Sequence, residues 1–329
     1  MNILVAGGSG FLGHPLCTAL VDGGHGVTVL SRRPERVRSA PEVELLAWDP
    51  AHSGPDSAWV QRLREMDAVI NLAGENLAGG GPLPSRWSPG AKAKLRTSRL
   101  QSTRVVVQAL GSTPPERRPH VMINASAIGY YGDRGDEIMT EASSAGTDFL
   151  ATLCADWEAA AVEAEPLGVR VVRLRTGVVL DRGGMAADLL TLASWLGVGG
   201  RLGSGRQWWS WIHRADVIGL ILHALHTEPL HGAFNAVGPA PRRMADFPRV
   251  LGQLLTRPSF MPAPSFALRL AFGEVADALL LASQRVLPNL AEETGYEFHY
   301  ATLEQALQAI VTSQPGVPWP KLPVRKVRR

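Results

Sequence analysis

Seven residues near the N-terminus, GGSGFLG at 7–13, restrict what this chain can fold into more than any other stretch. They follow the apolar run NILVA and precede HPLCTALVDGG, which reads as a helix ended by glycines. Gly7, Gly10 and Gly13 therefore fall at a strand-to-helix junction. The first glycine allows the tight turn, the second lets backbone approach a pyrophosphate, and the third lets helix pack on strand. The helix start offers free N–H donors to the phosphates. Phe11 and Leu12, inside the turn, are counted with the glycines as cofactor-binding. Glycine clusters also serve as plain turns, but the strand before and the helix after make this one a dinucleotide cradle.

The rest of the chain repeats the same alternation. VTVLSRR, VELLAWD, DAVINLAG, VMINAS and VRVVRLRTGVV read as five further strands, and helices are expected at Pro89 to Leu110 and Asp148 to Leu167. Continuous apolar strands separated by helices predict an α/β fold, a doubly wound parallel sheet covered on both faces. After about residue 178 the rhythm gives way to loops rich in Gly and Trp, then to short helices rich in Pro, Phe and Leu. A smaller, mostly helical C-terminal lobe is expected, with 1–235 as the nucleotide-binding domain, a lobe insertion at about 180–210, and 236–329 as the small domain. Thr302 and Gln305 form a capping box ahead of LEQALQAIV.

The end of the second strand bears on which dinucleotide binds. An acidic residue there would favour NAD through the ribose 2'-hydroxyl. The chain has Ser31, Arg32 and Arg33 instead, a hydroxyl and two guanidiniums suited to the extra phosphate of NADP. Asp49, Leu72, Ala73 and Glu75, at or just after the third and fourth strands, are placed with the cofactor, and Arg86 as a group able to reach a phosphate. For Glu75 a structural cap, and for Arg86 a plain surface arginine, stand as alternatives.

Composition excludes several classes. The chain is 45% hydrophobic and 19% charged, ordinary for a globular protein, and no apolar run reaches membrane-spanning length. Much of the net charge of +3 sits in the tail KLPVRKVRR, which lacks interleaved aromatics and reads as a solvated terminus rather than a nucleic-acid patch. Two cysteines make no disulfide framework, and MNILVAGG has no basic n-region, so a reducing, cytoplasmic setting without a signal peptide is expected. A small-molecule substrate and a monomer or homodimer complete the expectation. The histidines and cysteines show no metal-ligand spacing.

GGSGFLG, SAIGYYG, VVRLRTGVVL, SWIHRADVIGLILHAL and FNAVGP together resemble the short-chain dehydrogenase/reductase superfamily, in its extended, epimerase-type branch. NLAGEN, the RW of SRW, SRLQST, GYYG, LCADWE, RTGVVL, GSGRQWWSWIH and ETGYEF are similar to one atypical subgroup, the "epimerase family" proteins, which carry a C-terminal domain of unknown function. The resemblance implies a Rossmann-type fold with NADP at the carboxyl ends of the strands, and no particular substrate. It also implies a Ser or Thr after the fifth strand, then a Tyr with a Lys four residues on, as proton-transfer machinery. Ser126 matches the hydroxyl and Glu158 the acidic residue that follows the lysine. Counting back from Glu158 puts Cys154 at the lysine and Leu150 at the tyrosine, and no Tyr or Lys occurs from Glu141 to Leu167.

Tyr130 and Tyr131 follow Ser126, so Ser126 and Tyr130 are the candidate proton carriers, with a stacked loop tyrosine as the alternative for Tyr130. Trp209, in the cluster with Trp208 and Trp211, and His213 in WIHRAD are candidate substrate contacts, against structural packing. Asp216 is expected to cap the following helix, and Arg173 and Arg175 face either a phosphate or salt-bridge partners. The function expected is an NADP(H)-dependent epimerase or oxidoreductase with non-standard acid/base residues, acting on a nucleotide-linked or other polar substrate. A non-catalytic NADP(H)-binding sensor or regulator is the alternative.

Overall fold

The computed structural model describes residues 1–312 apart from Pro55 and Pro82. KLPVRKVRR, expected as a solvated terminus, lies outside the described residues. Strands β1 (Asn2–Ala6), β2 (Gly26–Ser31), β3 (Val43–Ala47), β4 (Ala68–Asn71) and β5 (Val121–Ala127) belong to the main sheet. After the two-residue β6 (Ile138–Met139) come its last members, β7 (Arg170–Thr176) and, beyond the short β8 (Val178–Leu180), β9 (Trp208–Trp209) and β10 (Trp211–His213), β11 (Gly232–Ala236). The order is β11-β7-β5-β4-β1-β2-β3. Every pairing in it is parallel.

Side chains alternate across each strand, and both faces are apolar, so both must be covered. Ile3 and Val5 face Leu16 and Leu20 of α1 (Gly13–Asp22) and Leu220 and Ile221 of α6 (Arg214–His226). Leu4 and Ala6 face Trp59 and Leu63 of α2 (Ala58–Leu63) and Val106 and Leu110 of α3 (Pro89–Ser112). Local signals set the helix starts: Ser88 Oγ accepts from Ala91 N with Pro89 in the first turn of α3, and Asp148 accepts from Ala151 N to begin α4 (Phe149–Val162).

The helical lobe draws on two stretches of chain. α5 (Met185–Trp195) packs with α7 (Asp246–Leu255) and α10 (Leu303–Thr312) in one cluster that includes Leu180, Trp209, Trp211, Phe247 and Leu307. α8 (Ser265–Phe272) and a π-helical turn over Ala276–Leu281 complete it, while α9 (Asn289–Glu293) packs Ala291 into the main-sheet core. The capping box before α10 is present, with Gln305 N donating to Thr302 Oγ1 at 3.3 Å and Thr302 N to Gln305 Oε1 at 3.1 Å.

Two expectations are corrected. VRVVRLRTGVV is not one strand, because at Gly177 the chain leaves the main sheet and β8 pairs with β10. A Cβ on Gly177 would lie 2.3 Å from Ser210 O, so backbone meets backbone at this crossing. The helix expected to reach Leu167 ends at Val162 and continues only as a 3-10 turn over Glu165–Leu167.

Candidate functional site

The strand order reverses between β1 and β4, and the GGSGFLG turn lies at the carboxyl end of β1 beside that switch point. Gly7 has φ +84°, and a Cβ there would come within 2.9 Å of Leu72 C and O. A Cβ on Gly13 would sit 2.2 Å from Gly7 O, so α1 rests directly on the turn. Gly10 N donates to Gly7 O at 3.1 Å, while its own Cβ direction meets only that oxygen. Gly10 thus presents bare backbone to open space, and no side chain caps the first turn of α1. This is the cradle a pyrophosphate requires.

The cradle opens into a cleft of about 910 Å³ that runs under the helical lobe. Gly7, Gly10, Phe11, Leu12, Gly13 and Leu72 line it, as does Trp209, which packs edge-on against Phe247 with ring centres 5.2 Å apart. Ser31, Arg32, Arg33, Asp49, Ala73 and Glu75 do not line the cleft. Ser31 Oγ accepts from Arg33 N at 3.1 Å, and exposed Arg32 reaches Glu75 at 3.7 Å, where Lys94 also approaches at 3.4 Å. Asp49 takes His52 Nδ1 at 2.8 Å and Ala51 N at 3.0 Å, bonds that hold its carboxyl below the usual range. Ala73 N donates to Asn71 Oδ1 at 3.2 Å.

Arg86, expected near a cofactor phosphate, points elsewhere. Its guanidinium donates to Ala271 O and Leu270 O at the end of α8, where unsatisfied helix carbonyls attract a cation.

Below the cleft lies a buried polar network. Ser126 Oγ donates to Glu158 Oε1 at 2.7 Å. Arg175 grips both carboxylate oxygens, Nε and Nη2 each at 2.8 Å, and Arg173 approaches at 3.5 Å. Arg175 also donates to the Tyr131 phenol at 3.0 Å, which donates to Asn235 Oδ1 at 2.7 Å. Burial pushes Tyr131 up to about 12, so it stays a neutral phenol. The two arginines of β7 therefore meet a carboxylate of α4, not a phosphate. Ser126 lines the cleft, but Tyr130 does not: its ring lies 3.5 Å from the Arg175 guanidinium and edge-on to Tyr131. The wall where a Tyr/Lys pair would stand is formed by Leu150, Leu153, Cys154 and Trp157 of α4. The Cys154 thiol is pushed up to about 12, by burial first and by Glu158 second, which keeps it protonated.

His213 is also turned away from the cleft. Its Nδ1 accepts from Ala215 N at 3.2 Å, capping α6, and its ring stacks 3.8 Å from that of Tyr300. Burial lowers its pKa, favouring the neutral form that can accept. Asp216, expected as the cap, instead receives His299 N at 2.8 Å, Tyr300 N at 3.0 Å and the Tyr296 phenol at 3.1 Å, pinning the ETGYEFHY segment to α6.

Sequence reasoning missed Arg99. It is buried on α3, lines the cleft, and donates to Leu95 O at 3.2 Å and Glu75 O at 2.9 Å. Its spacing gives the signal, since Leu95, Arg99 and Thr103 recur every four residues on the buried stripe of α3. Among the described residues no group of three or more His, Cys, Asp or Glu is placed to hold a metal, and no helix is long and apolar enough to cross a membrane.

A parallel sheet of this order, with a glycine cradle at its switch point and a helical lobe over the carboxyl ends, defines a Rossmann-type α/β protein. The chain belongs to the NAD dependent epimerase/dehydratase family, which matches residues 3–236, and a domain of unknown function, DUF1731, matches 263–310. It is 41% identical over 315 residues to epimerase family protein Mb2239 of Mycobacterium bovis, covering 95% of this chain and 98% of that protein. It is 37% identical over 317 residues to a chloroplastic SDR39U1 homolog of Arabidopsis thaliana, covering 94% and 87%. The crystal structure of human SDR39U1 (isoform 2) with NADPH superposes with a TM-score of 0.79 at 34% identity, covering 94% of this chain and 99% of that one.

Proposed function

We propose that this protein is an NADP(H)-dependent oxidoreductase of the epimerase family that works without the usual Tyr/Lys pair. One observation carries the reading: the bare backbone of Gly7, Gly10 and Gly13 opens into the same cleft that the helical lobe roofs. The cradle and the α1 N-terminus hold the pyrophosphate. Ser31, Arg32 and Arg33 take the 2'-phosphate, and Asp49, Leu72, Ala73 and Glu75 border the adenosine and ribose. A solved human relative crystallised with NADPH supports the choice of cofactor. Bound NADPH supplies a hydride. Ser126 touches the cleft while its proton is engaged by Glu158, so it orients a substrate by accepting a hydrogen bond. Tyr130, stacked on Arg175, serves packing in this reading. The cleft lining itself lends no support to the expected nucleotide-linked or other polar substrate, because among the described residues lining the cleft Arg99 alone is charged. The reading keeps the protein cytoplasmic, as a monomer or homodimer without a nucleic-acid partner; its two unbridged cysteines support a reducing setting.

A second reading, a non-catalytic NADP(H) sensor, is favoured by the apolar wall of Leu150 and Cys154. Loss of the reduced-nicotinamide absorbance with a panel of carbonyl compounds separates the two. Turnover with any of them establishes the oxidoreductase. Tight NADPH binding with no turnover across the panel refutes it in favour of the sensor.

A further inference from the structure

The cleft changes character along its length. At the cradle its wall is backbone. Under the lobe it is aliphatic: Met185, Leu189 and Ala193 recur at one-turn spacing on α5, and Leu279 faces them from the π-helical turn. α8 adds Leu268 and Phe272, and the mouth carries Leu83, Val198 and Met261, each about half exposed. Arg99 has two of its donors committed to backbone carbonyls, those of Leu95 and Glu75. Gln284 likewise gives its side-chain amide to Ile128 O and Gly132 O. A nucleoside diphosphate buried here would leave its charges without counter-ions, at a prohibitive desolvation cost.

Two buried hydroxyls of α5, Thr191 and Ser194, have no partner among the described residues, and of the two Ser194 lines the cleft. Ser194 is fully buried. A helical serine ordinarily turns its hydroxyl back to a carbonyl one turn earlier, and buried hydroxyls are rarely left unpaired.

Resting on the cofactor assignment above, we propose that the lobe half of the cleft binds an uncharged, largely apolar small molecule with one hydrogen-bond acceptor, such as an alicyclic or aromatic ketone, and that Ser194 donates to that acceptor. The aliphatic wall supplies affinity by burying the ligand's hydrocarbon surface, and Ser194 fixes which atom faces the α5 end.

The test uses the full chain saturated with NADPH and titrated with Nile red, an uncharged apolar dye. Saturable binding is expected, with 1-tetralone displacing the dye and UDP-glucose leaving it in place. Leu189→Asp and, independently, Leu279→Asp put a carboxylate into the aliphatic wall and should weaken dye binding at least tenfold. Retained NADPH affinity reports that each variant is folded, so one failing to fold leaves the other decisive. Ser194→Ala should weaken 1-tetralone by about threefold to tenfold, the worth of one neutral hydrogen bond, and leave its hydrocarbon counterpart tetralin unchanged. No saturable dye binding, displacement of the dye by UDP-glucose, or unaltered binding in both Asp variants overturns the proposal. Equal effects of Ser194→Ala on ketone and hydrocarbon overturn the role of Ser194. A wild-type protein that binds Nile red but not NADPH would defeat the cofactor assignment alone.

Discussion

Replacing Glu158 by glutamine probes the floor of the cleft. The carboxylate is 3% exposed and lies against Arg175, also 3% exposed, with two contacts of 2.8 Å and a second cation, Arg173, at 3.5 Å. Glu158→Gln keeps the shape and an acceptor for Ser126 but strands the Arg175 charge. Breaking a buried pair by removing one partner costs about 3–5 kcal/mol. For a chain of this length that corresponds to a melting point lowered by roughly 4–7 °C, read by differential scanning fluorimetry or calorimetry. The double variant Glu158→Gln, Arg175→Met removes both charges and should recover part of the loss, since neither is then left uncompensated. A Glu158→Gln protein melting within a degree of wild type would refute the network as a structural floor.

Gly10→Val should abolish NADPH binding while the far-ultraviolet dichroism stays native, because a side chain there fills the space facing the pyrophosphate; a melting point still raised by NADPH would contradict this. Cys154→Ala should leave any turnover intact, whereas Ser126→Ala should lower it, and an inactive, folded, cofactor-bound Cys154→Ala would mean that the thiol does chemistry. With the Cys17 and Cys154 thiols both held at about 12, neither should be alkylated by iodoacetamide at neutral pH until the protein unfolds, as intact mass would report. The same shift makes stability fall as pH rises from the thiols' ordinary 9.0 towards 12, because the folded state holds these protons more tightly than the unfolded one.

The sheet was legible because strands buried on both faces read as unbroken apolar runs, and the cradle because its glycines fall where strand becomes helix. The break at Gly177 was hidden, since VVRLRTGVV offers valines on both sides of a crossing that depends on Ser210, far away in sequence. Arg86 and His213 look like site residues in a linear reading, and Asp216 like a helix cap, yet Arg86 serves the end of α8, His213 caps α6, and Asp216 holds a loop some eighty residues away. The vacancy at Leu150 and Cys154 was readable from spacing to Glu158; the pairing of that glutamate with Arg175 settles why it is acidic. Ser194 carried no sequence signal, because an unpaired hydroxyl is a property of its surroundings.

The assignment of the cradle to NADP(H) is tested most directly by titrating wild-type and Arg32→Asp protein with NADPH and NADH. Wild type should bind NADPH more tightly than NADH. Arg32→Asp should weaken NADPH by about tenfold to a hundredfold, the range of one charge-assisted hydrogen bond, and leave NADH unchanged or tighter. Superimposable NADPH curves for the two proteins, or a wild type that prefers NADH, would contradict the account.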